Sequence, residues 1–149
     1  MKIYDTIRDV LKRKGQEVWS IHPDLSVYHA IEMMADRHVG ALLVIVDDKL
    51  VGIVSERDYA RKVVLKGRSS KETRVQEIMT SSVICVEPQY AVDECMRIMT
   101  DNRIRHLPVM ENQKVIGIVS IGDLVNWIIS AQDQTIQQLQ DYITGKYPI

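Results

Sequence analysis

The chain has 149 residues, 46% of them hydrophobic, which is enough for one compact domain or for two small subdomains that share a core. Its 19 Lys and Arg residues are balanced by 20 Asp and Glu residues, so no net positive charge attracts nucleic acid or an anionic membrane. Apolar runs such as residues 41–46 are far shorter than the ~20 residues that cross a bilayer. The N-terminus lacks the apolar core of a secretory signal, so we expect a cytoplasmic protein.

The first predicted element is an N-terminal helix within residues 1–17. Gly15 is typical of a helix end, and Ile3, Ile7, Val10 and Leu11 fall on one helical face. We expect this short helix to dock on the rest of the protein.

Residues 18–67 form the first predicted unit, with the order strand, helix, strand, strand, helix. The segment VWSI (18–21) reads as a short strand before Pro23, and ALLVIVDDKLVGIV reads as two strands joined by a polar turn. The last helix begins after Ser55, where an acid three residues later, Asp58, is typical of an N-cap. The apolar positions of the first helix have helical spacing: Val27, Ala30, Ile31 and Met34.

The segment 68–77 is a polar, serine-rich connector that we expect on the surface. Residues 78–131 repeat the first unit, with VICV (83–86) as the strand, HLPVMENQKVIGIV as the strand pair and a helix after Ser120. The tail, 132–149, extends that last helix and packs either on its own chain or on a partner subunit. Apolar positions with helical spacing are Val92, Cys95, Met96 and Met99 in the second unit, and Ile136, Leu139 and Ile143 in the tail.

The two units are an internal repeat. A shift of 65 residues places Pro23 on Pro88 without any gap. It also aligns GIVSERD (52–58) with GIVSIGD (117–123). Such duplication predicts two α+β units, each too small to bury its own apolar face, stacked on one another.

Both units resemble the CBS domain. The motifs that carry the resemblance are the aliphatic strand before each proline, the Ala- and Met-containing helix, RHLPV at 105–109 and the two G-h-h-S-x-x-D segments, and together they cover about residues 18–130. The chain is similar to the stand-alone two-CBS proteins of bacteria. The resemblance implies an α+β fold in which two tandem CBS units pack about a pseudo-twofold axis as one Bateman module, and it also implies a homodimer.

The resemblance further implies a regulatory module that senses energy or redox state by binding adenosine ligands. AMP is the first candidate, followed by ADP, ATP, NAD and S-adenosylmethionine, and no metal is required. Asp58 and Asp123 match the family's ribose-binding aspartate, whose two carboxylate oxygens suit vicinal hydroxyls. Ser55 and Ser120 place a hydroxyl and free helix N–H groups where a phosphate could bind.

Phosphate also calls for cations. Arg105 and His106 lie at family positions that contact phosphate, whereas the first unit has Gly40 and Ala41 there.

Arg57, inside the first S-x-x-D, resembles a position that reaches phosphate, whereas the second copy has Gly122. Arg61, one turn further on, is interpreted as a solvated surface residue. We therefore expect two unequal clefts. By resemblance, the adenine slot consists of Ile21, Thr80, Val83, Ile84 and Pro108.

No pattern in the sequence indicates an enzyme. The four histidines show no HExxH or H-x-H spacing, and neither a phosphate-binding glycine loop nor a G-x-S-x-G elbow is present, so we expect neither a catalytic nor a metal site. Cys85 and Cys95 are interpreted as buried reduced thiols. The alternative to a ligand sensor is a protein-interaction module with vestigial clefts, in which Trp19, Trp127 or the tail contacts a partner, an unknown effector protein in either case.

Overall fold

The computed structural model describes residues 5–144, apart from the side chain of Tyr142. Helix α1 (Ile7–Lys14) confirms the predicted N-terminal helix, and it ends at Gly15, whose φ of 100° suits glycine. Its apolar face, Ile7, Val10 and Leu11, is buried. Ile3 of the predicted face lies outside the described residues.

The first unit begins with a three-stranded sheet. Strand β1 (Ser20–Ile21) runs parallel to β2 (Ala41–Val46), which pairs antiparallel with β3 (Lys49–Ser55). Between β1 and β2 lies helix α2 (Val27–Arg37), which buries Val27, Ala30 and Met34 as its spacing predicts. Helix α3 (Glu56–Tyr59) follows β3 and continues into a π-helical turn, Ala60–Val64.

Most residues of the connector are exposed, but Thr73 and Val75 in its second half are buried. Helix α4 (Val75–Ile78) lies there, and Thr73, Val75 and Ile78 are at most 2% exposed. The carbonyl oxygen of Thr73 also accepts a hydrogen bond from the backbone N–H of Val27 (2.8 Å). The segment therefore lies mostly on the surface, while Val75 and Ile78 of α4 pack in the core of the first unit.

The second unit contains α5 (Val92–Asn102), β4 (His106–Glu111), β5 (Lys114–Ser120) and the long helix α6 (Ile121–Ile143). The predicted strand 83–86 is reduced to a single parallel bridge between Val86 and Val109. Thr80, shortly before this segment, forms a backbone bridge with Ile53 of the first unit. Of residues 83–86, only Val86 therefore pairs with β4. The rest of this unit confirms the α+β repeat.

The two hairpins match in detail. Both turns have two central residues with positive φ, between 51° and 64°, as two-residue hairpin loops require. Both strand pairs shift register at the same place, between Val44 and Ile45 in one and between Val109 and Met110 in the other. The 65-residue repeat in the sequence is therefore a repeat in backbone geometry.

The short helices α1 and α4 are exchanged between the units. Helix α1, at the N-terminus, packs in the core of the second unit, whereas α4 packs in the core of the first. Equivalent bridges anchor them, Thr6 to Ala91 and Ser26 to Arg74. Each of these helices thus packs in the core of the unit to which it does not belong in chain order, and so joins the two units.

The tail extends α6 as predicted, but it does not pack back onto its own chain. Ile136, Leu139 and Ile143 are 53%, 58% and 81% exposed. The prediction that the tail packs on its own chain is therefore wrong, and packing on a partner subunit stays a prediction. Within the described part of the chain, no helix is both long and apolar enough to cross a membrane.

Candidate ligand clefts between the two units

A cleft of about 690 Å³, here called cleft 1, opens between the units. The first unit contributes the end of β3 and the start of α3, and the second contributes residues 80–84 and 102–106. Eight predicted site residues line it: Ser55, Arg57, Asp58, Thr80, Val83, Ile84, Arg105 and His106.

Asp58 is held in place by the N-cap of α3. Its Oδ2 accepts hydrogen bonds from the backbone N–H of Ser55 (2.9 Å) and from the Ser55 hydroxyl (3.0 Å). Its Oδ1 is 3.2 Å from the ammonium of Lys62, on the next turn. The side chain is 16% exposed, so the carboxylate is fixed at the cleft wall with Oδ1 as its less engaged oxygen.

Cations dominate the rim of cleft 1. Five basic side chains face two acidic ones, Glu56 and Asp58. Arg57 also donates to the carbonyl of Arg103 (3.3 Å), which links the start of α3 to the second unit. The basic residues are Arg57, Arg61, Lys62, Arg103 and Arg105.

Sequence reasoning missed part of this rim. Arg61 is exposed, as its interpretation as a solvated residue has it, and it also lines the cleft, whereas Lys62 and Arg103 were not considered. Helical spacing from Asp58 could have identified Lys62, because residues four apart share a helix face. Nothing local identifies Arg103, since it approaches from the other unit.

His106 lies between the two clefts and lines both of them. Burial lowers the pKa of its imidazole, and the charges of Lys14 and Arg105 act in the same direction, while Asp123 opposes them. A Cβ atom placed on Gly40 would lie 3.5 Å from its Nε2, so the small residue at position 40 leaves room for the ring. The sequence predicts a cationic residue pair in the second unit and small neutral residues at the same place in the first. In the structure His106 and Gly40, one from each group, are neighbours.

A smaller cleft of about 330 Å³, cleft 2, lies on the other side of His106. Most of its lining residues correspond to those of cleft 1 at a shift of 65 residues: Asp123 and Ser120 replace Asp58 and Ser55, and Trp19 replaces Ile84. It therefore contains the other two predicted polar residues.

Two predicted slot residues line neither cleft. Ile21 is 4% exposed within the core of the first unit, and Pro108 is buried in β4. Both residues pair with a neighbouring segment: Ile21 with Val44 of β2, and the carbonyl oxygen of Pro108 accepts a hydrogen bond from the N–H of Val86 (3.0 Å). The apolar wall of cleft 1 is formed instead by Ile53, Val83, Ile84 and Ile104.

Neither a metal cluster nor reactive thiols were found among residues 5–144. No three His, Cys, Asp or Glu side chains there are grouped to hold a metal ion. Cys95 is buried, and burial raises the pKa of its thiol to about 12, so it is protonated at neutral pH. Cys85 is half-buried, and burial raises its pKa as well.

Known proteins share this arrangement. The chain is 43% identical over 152 residues to the CBS domain-containing protein CBSX3, mitochondrial, of Arabidopsis thaliana, which covers 95% of this chain and 73% of that protein. A solved protein with CBS domains from Burkholderia ambifaria is 52% identical, with a TM-score of 0.82 over 85% of this chain and 96% of that one.

A third relative carries ligands. The CBS domain pair of protein MJ0100, solved in complex with 5′-methylthioadenosine and S-adenosyl-L-methionine, is 25% identical to this chain. Its TM-score is 0.74, and it covers 83% of this chain and 98% of its own. The family model for the CBS domain matches residues 7–65 and 75–130, so the chain belongs to the CBS-domain family and contains two such domains.

Proposed function

We propose that this chain is a regulatory module that binds an adenosine-containing ligand in cleft 1 and transmits the binding to an effector protein. AMP is the first candidate, with ADP, ATP, NAD and S-adenosylmethionine as further candidates. The observation that carries the proposal is one cleft with a fixed carboxylate, a cationic rim and an apolar wall. These are the three environments that ribose, phosphate and adenine require.

Each part of the ligand has a place in this proposal. Oδ1 of Asp58 accepts a ribose hydroxyl, while Arg57 and Arg105 hold phosphate. The base lies against Val83 and Ile84, which are half-buried. The excess of cations favours ligands that carry phosphate over neutral adenosine.

Regulation follows from the position of the cleft. Its two walls belong to different units, so a ligand that binds better to one relative tilt of the units shifts the population toward that tilt. In this proposal the chain is not an enzyme. A homodimer, the unit boundaries 18–67 and 78–131 and a cytoplasmic location also remain proposals.

The first prediction tests the carboxylate with Asp58→Asn. The amide oxygen can still accept from the N–H of Ser55, so α3 keeps its cap, but the charge-assisted bond to ribose is lost. We expect AMP affinity to fall about tenfold or more, measured by isothermal titration calorimetry. AMP should also raise the melting temperature of the wild type.

The matched control is Asp36→Asn, an exposed carboxylate on α2 that lines neither cleft. It should bind AMP as the wild type does. Equal affinity in the wild type and Asp58→Asn would reject the ribose assignment.

A second candidate function is protein interaction with vestigial clefts, which the exposed apolar residues of α6 favour. In that case none of AMP, ADP, ATP, NAD or S-adenosylmethionine at millimolar concentration would raise the melting temperature.

A further inference from the structure

The two clefts differ in the group that donates a hydrogen bond to the backbone carbonyl two residues before the N-cap serine, at Ile53 in cleft 1 and Ile118 in cleft 2. In the first unit, Thr80 forms a two-bond bridge with Ile53: each backbone N–H donates to the carbonyl of the other, at 2.9 and 3.0 Å. The carbonyl of Ile53 therefore accepts its hydrogen bond from the main chain and not from a side chain.

The second unit lacks this bridge. The 65-residue shift places Gly15 at the position of Thr80, but the N–H of Gly15 donates to Leu11 (2.7 Å) at the end of α1. The ammonium of Lys14 donates instead to the carbonyl of Ile118 (2.6 Å), the counterpart of Ile53.

The same ammonium is paired with the carboxylate of cleft 2. It lies 2.5 Å from Oδ2 of Asp123, which also accepts from the N–H of Ser120 (2.8 Å). The two side chains are 33% and 23% exposed. The 65-residue shift places Met79 at the position of Lys14, and the Met79 side chain lies against Gly52 and cannot form an ion pair. In the first unit the cation beside the carboxylate is Lys62, from the same helix as Asp58.

We infer that Lys14 is a built-in occupant of cleft 2, held between the carboxylate of Asp123 and the carbonyl of Ile118, where a second ligand would have to bind. The inference rests on the proposed function of Asp58 and its counterpart. Each chain then binds one adenosine ligand, in cleft 1. A ligand enters cleft 2 only by displacing Lys14 and the last turn of α1.

The remainder of α1 limits this displacement. Val10 and Leu11 are 2% and 1% exposed within the core of the second unit, so only the end of the helix is free to move. Arg13 is stacked over the ring of Trp127 at 4.4 Å and would move with Lys14. Cleft 2 would thus signal through α1, a different element from those that line cleft 1.

The test is the stoichiometry of AMP binding to Lys14→Met, which keeps the aliphatic stem and removes the ammonium. Calorimetry should give one AMP per chain for the wild type and two for Lys14→Met. The matched control, Lys12→Met, changes an exposed residue on the same helix and should stay at one. Two sites in the wild type, or one in Lys14→Met, would overturn the inference.

A measurement without ligand separates this inference from the proposed function. In competitive acetylation read by mass spectrometry, the paired Lys14 should react more slowly than Lys12. Asp123→Asn should remove most of the difference. Equal rates in the wild type would reject the occupancy of cleft 2, whatever AMP does. Absence of AMP binding in every variant, with Lys14 still protected, would reject the proposed function and leave the ion pair established.

Discussion

Asp58 and Asp123 each combine a structural and a proposed functional role. As third residues of their helices, they accept the N–H of Ser55 and Ser120 and so complete a capping box. The cap fixes the direction of the carboxylate before any ligand arrives, which lowers the ordering cost of binding. The two residues differ in their cation: Lys62, on Oδ1 of Asp58, comes from the same helix, whereas Lys14, on Oδ2 of Asp123, is 109 residues away.

His106 predicts a pH dependence of stability. Burial lowers its pKa in the folded protein, so near and below the ordinary value of about 6.5 the unfolded chain binds more protons than the folded one. The contribution is present above that pH and is lost as the pH falls toward the lowered pKa. We expect the free energy of unfolding, from urea denaturation, to drop less between about pH 7.5 and about pH 5.5 in His106→Gln than in the wild type.

The comparison must include the groups around the ring. Lys14, Arg105 and Asp123 face His106, and both proteins retain them, so the difference between variant and wild type reports the imidazole. His22→Gln, at a half-exposed loop position, is the control and should follow the wild type. An equal drop in His106→Gln and wild type would contradict the prediction.

The exchanged helices α1 and α4 explain why each hairpin carries a glycine at the same place. Gly52 in β3 lies against Met79 and Thr80, just after α4, and Gly117 in β5 lies against Leu11 of α1. A side chain at either position would enter the space that the exchanged segment fills. The glycines of the repeated G-h-h-S-x-x-D motif therefore allow the exchanged segments to pack closely against the strands.

We predict that Gly52→Ala destabilises the protein more than Gly117→Ala. A Cβ on Gly52 would lie 2.6 Å from the Met79 sulfur and 3.0 Å from the carbonyl oxygen of Thr80, which is backbone. A Cβ on Gly117 would meet only the Leu11 side chain, at 2.8 Å, which can rotate away. We expect Gly52→Ala to cost about 1–3 kcal/mol in free energy of unfolding, measured by urea denaturation.

Gly122→Ala is the control for this pair. Gly122 is in α6, where a Cβ would come no closer than 3.6 Å to Ser120, so alanine should add about 0.5–1 kcal/mol. The packing argument fails if Gly52→Ala is as stable as the wild type or if both strand glycines give equal losses.

At the level of the whole molecule, the end of α6 exposes apolar side chains. Its described residues carry no Lys or Arg, and its outer half exposes Ile136, Leu139 and Ile143 at helical spacing. If this face joins the proposed homodimer, Ile136→Glu with Leu139→Glu should convert a dimer into a monomer in sedimentation velocity.

The control, Gln134→Glu with Gln138→Glu, adds the same charge on the opposite face of the same helix segment. It should leave the dimer intact. A monomeric wild type, or a dimer that survives the Ile136 and Leu139 substitutions, would exclude this face as the interface.

Local patterns predicted most of the elements. Helices α2 and α5 follow from apolar spacing near 3.6 residues, and both hairpins follow from short apolar strands around a polar turn. The strand at 83–86 was wrong because a strand requires a partner, and the bridge at Thr80 directs this segment elsewhere. The buried side chains Thr73, Val75 and Ile78 in and after the connector were not predicted, because three residues make too short a pattern to stand out.

The sequence by itself determined the duplication, the capped carboxylates Asp58 and Asp123, and the inequality of the two halves, because these are properties of neighbouring residues and of a constant 65-residue shift. Only the tertiary structure decided which chain segments meet at the clefts. The contribution of Arg103 to cleft 1 and the pairing of Lys14 with Asp123 depend on how α1 and α4 exchange between units. Such contacts join residues far apart in the chain and are set by core packing, which no local periodicity records.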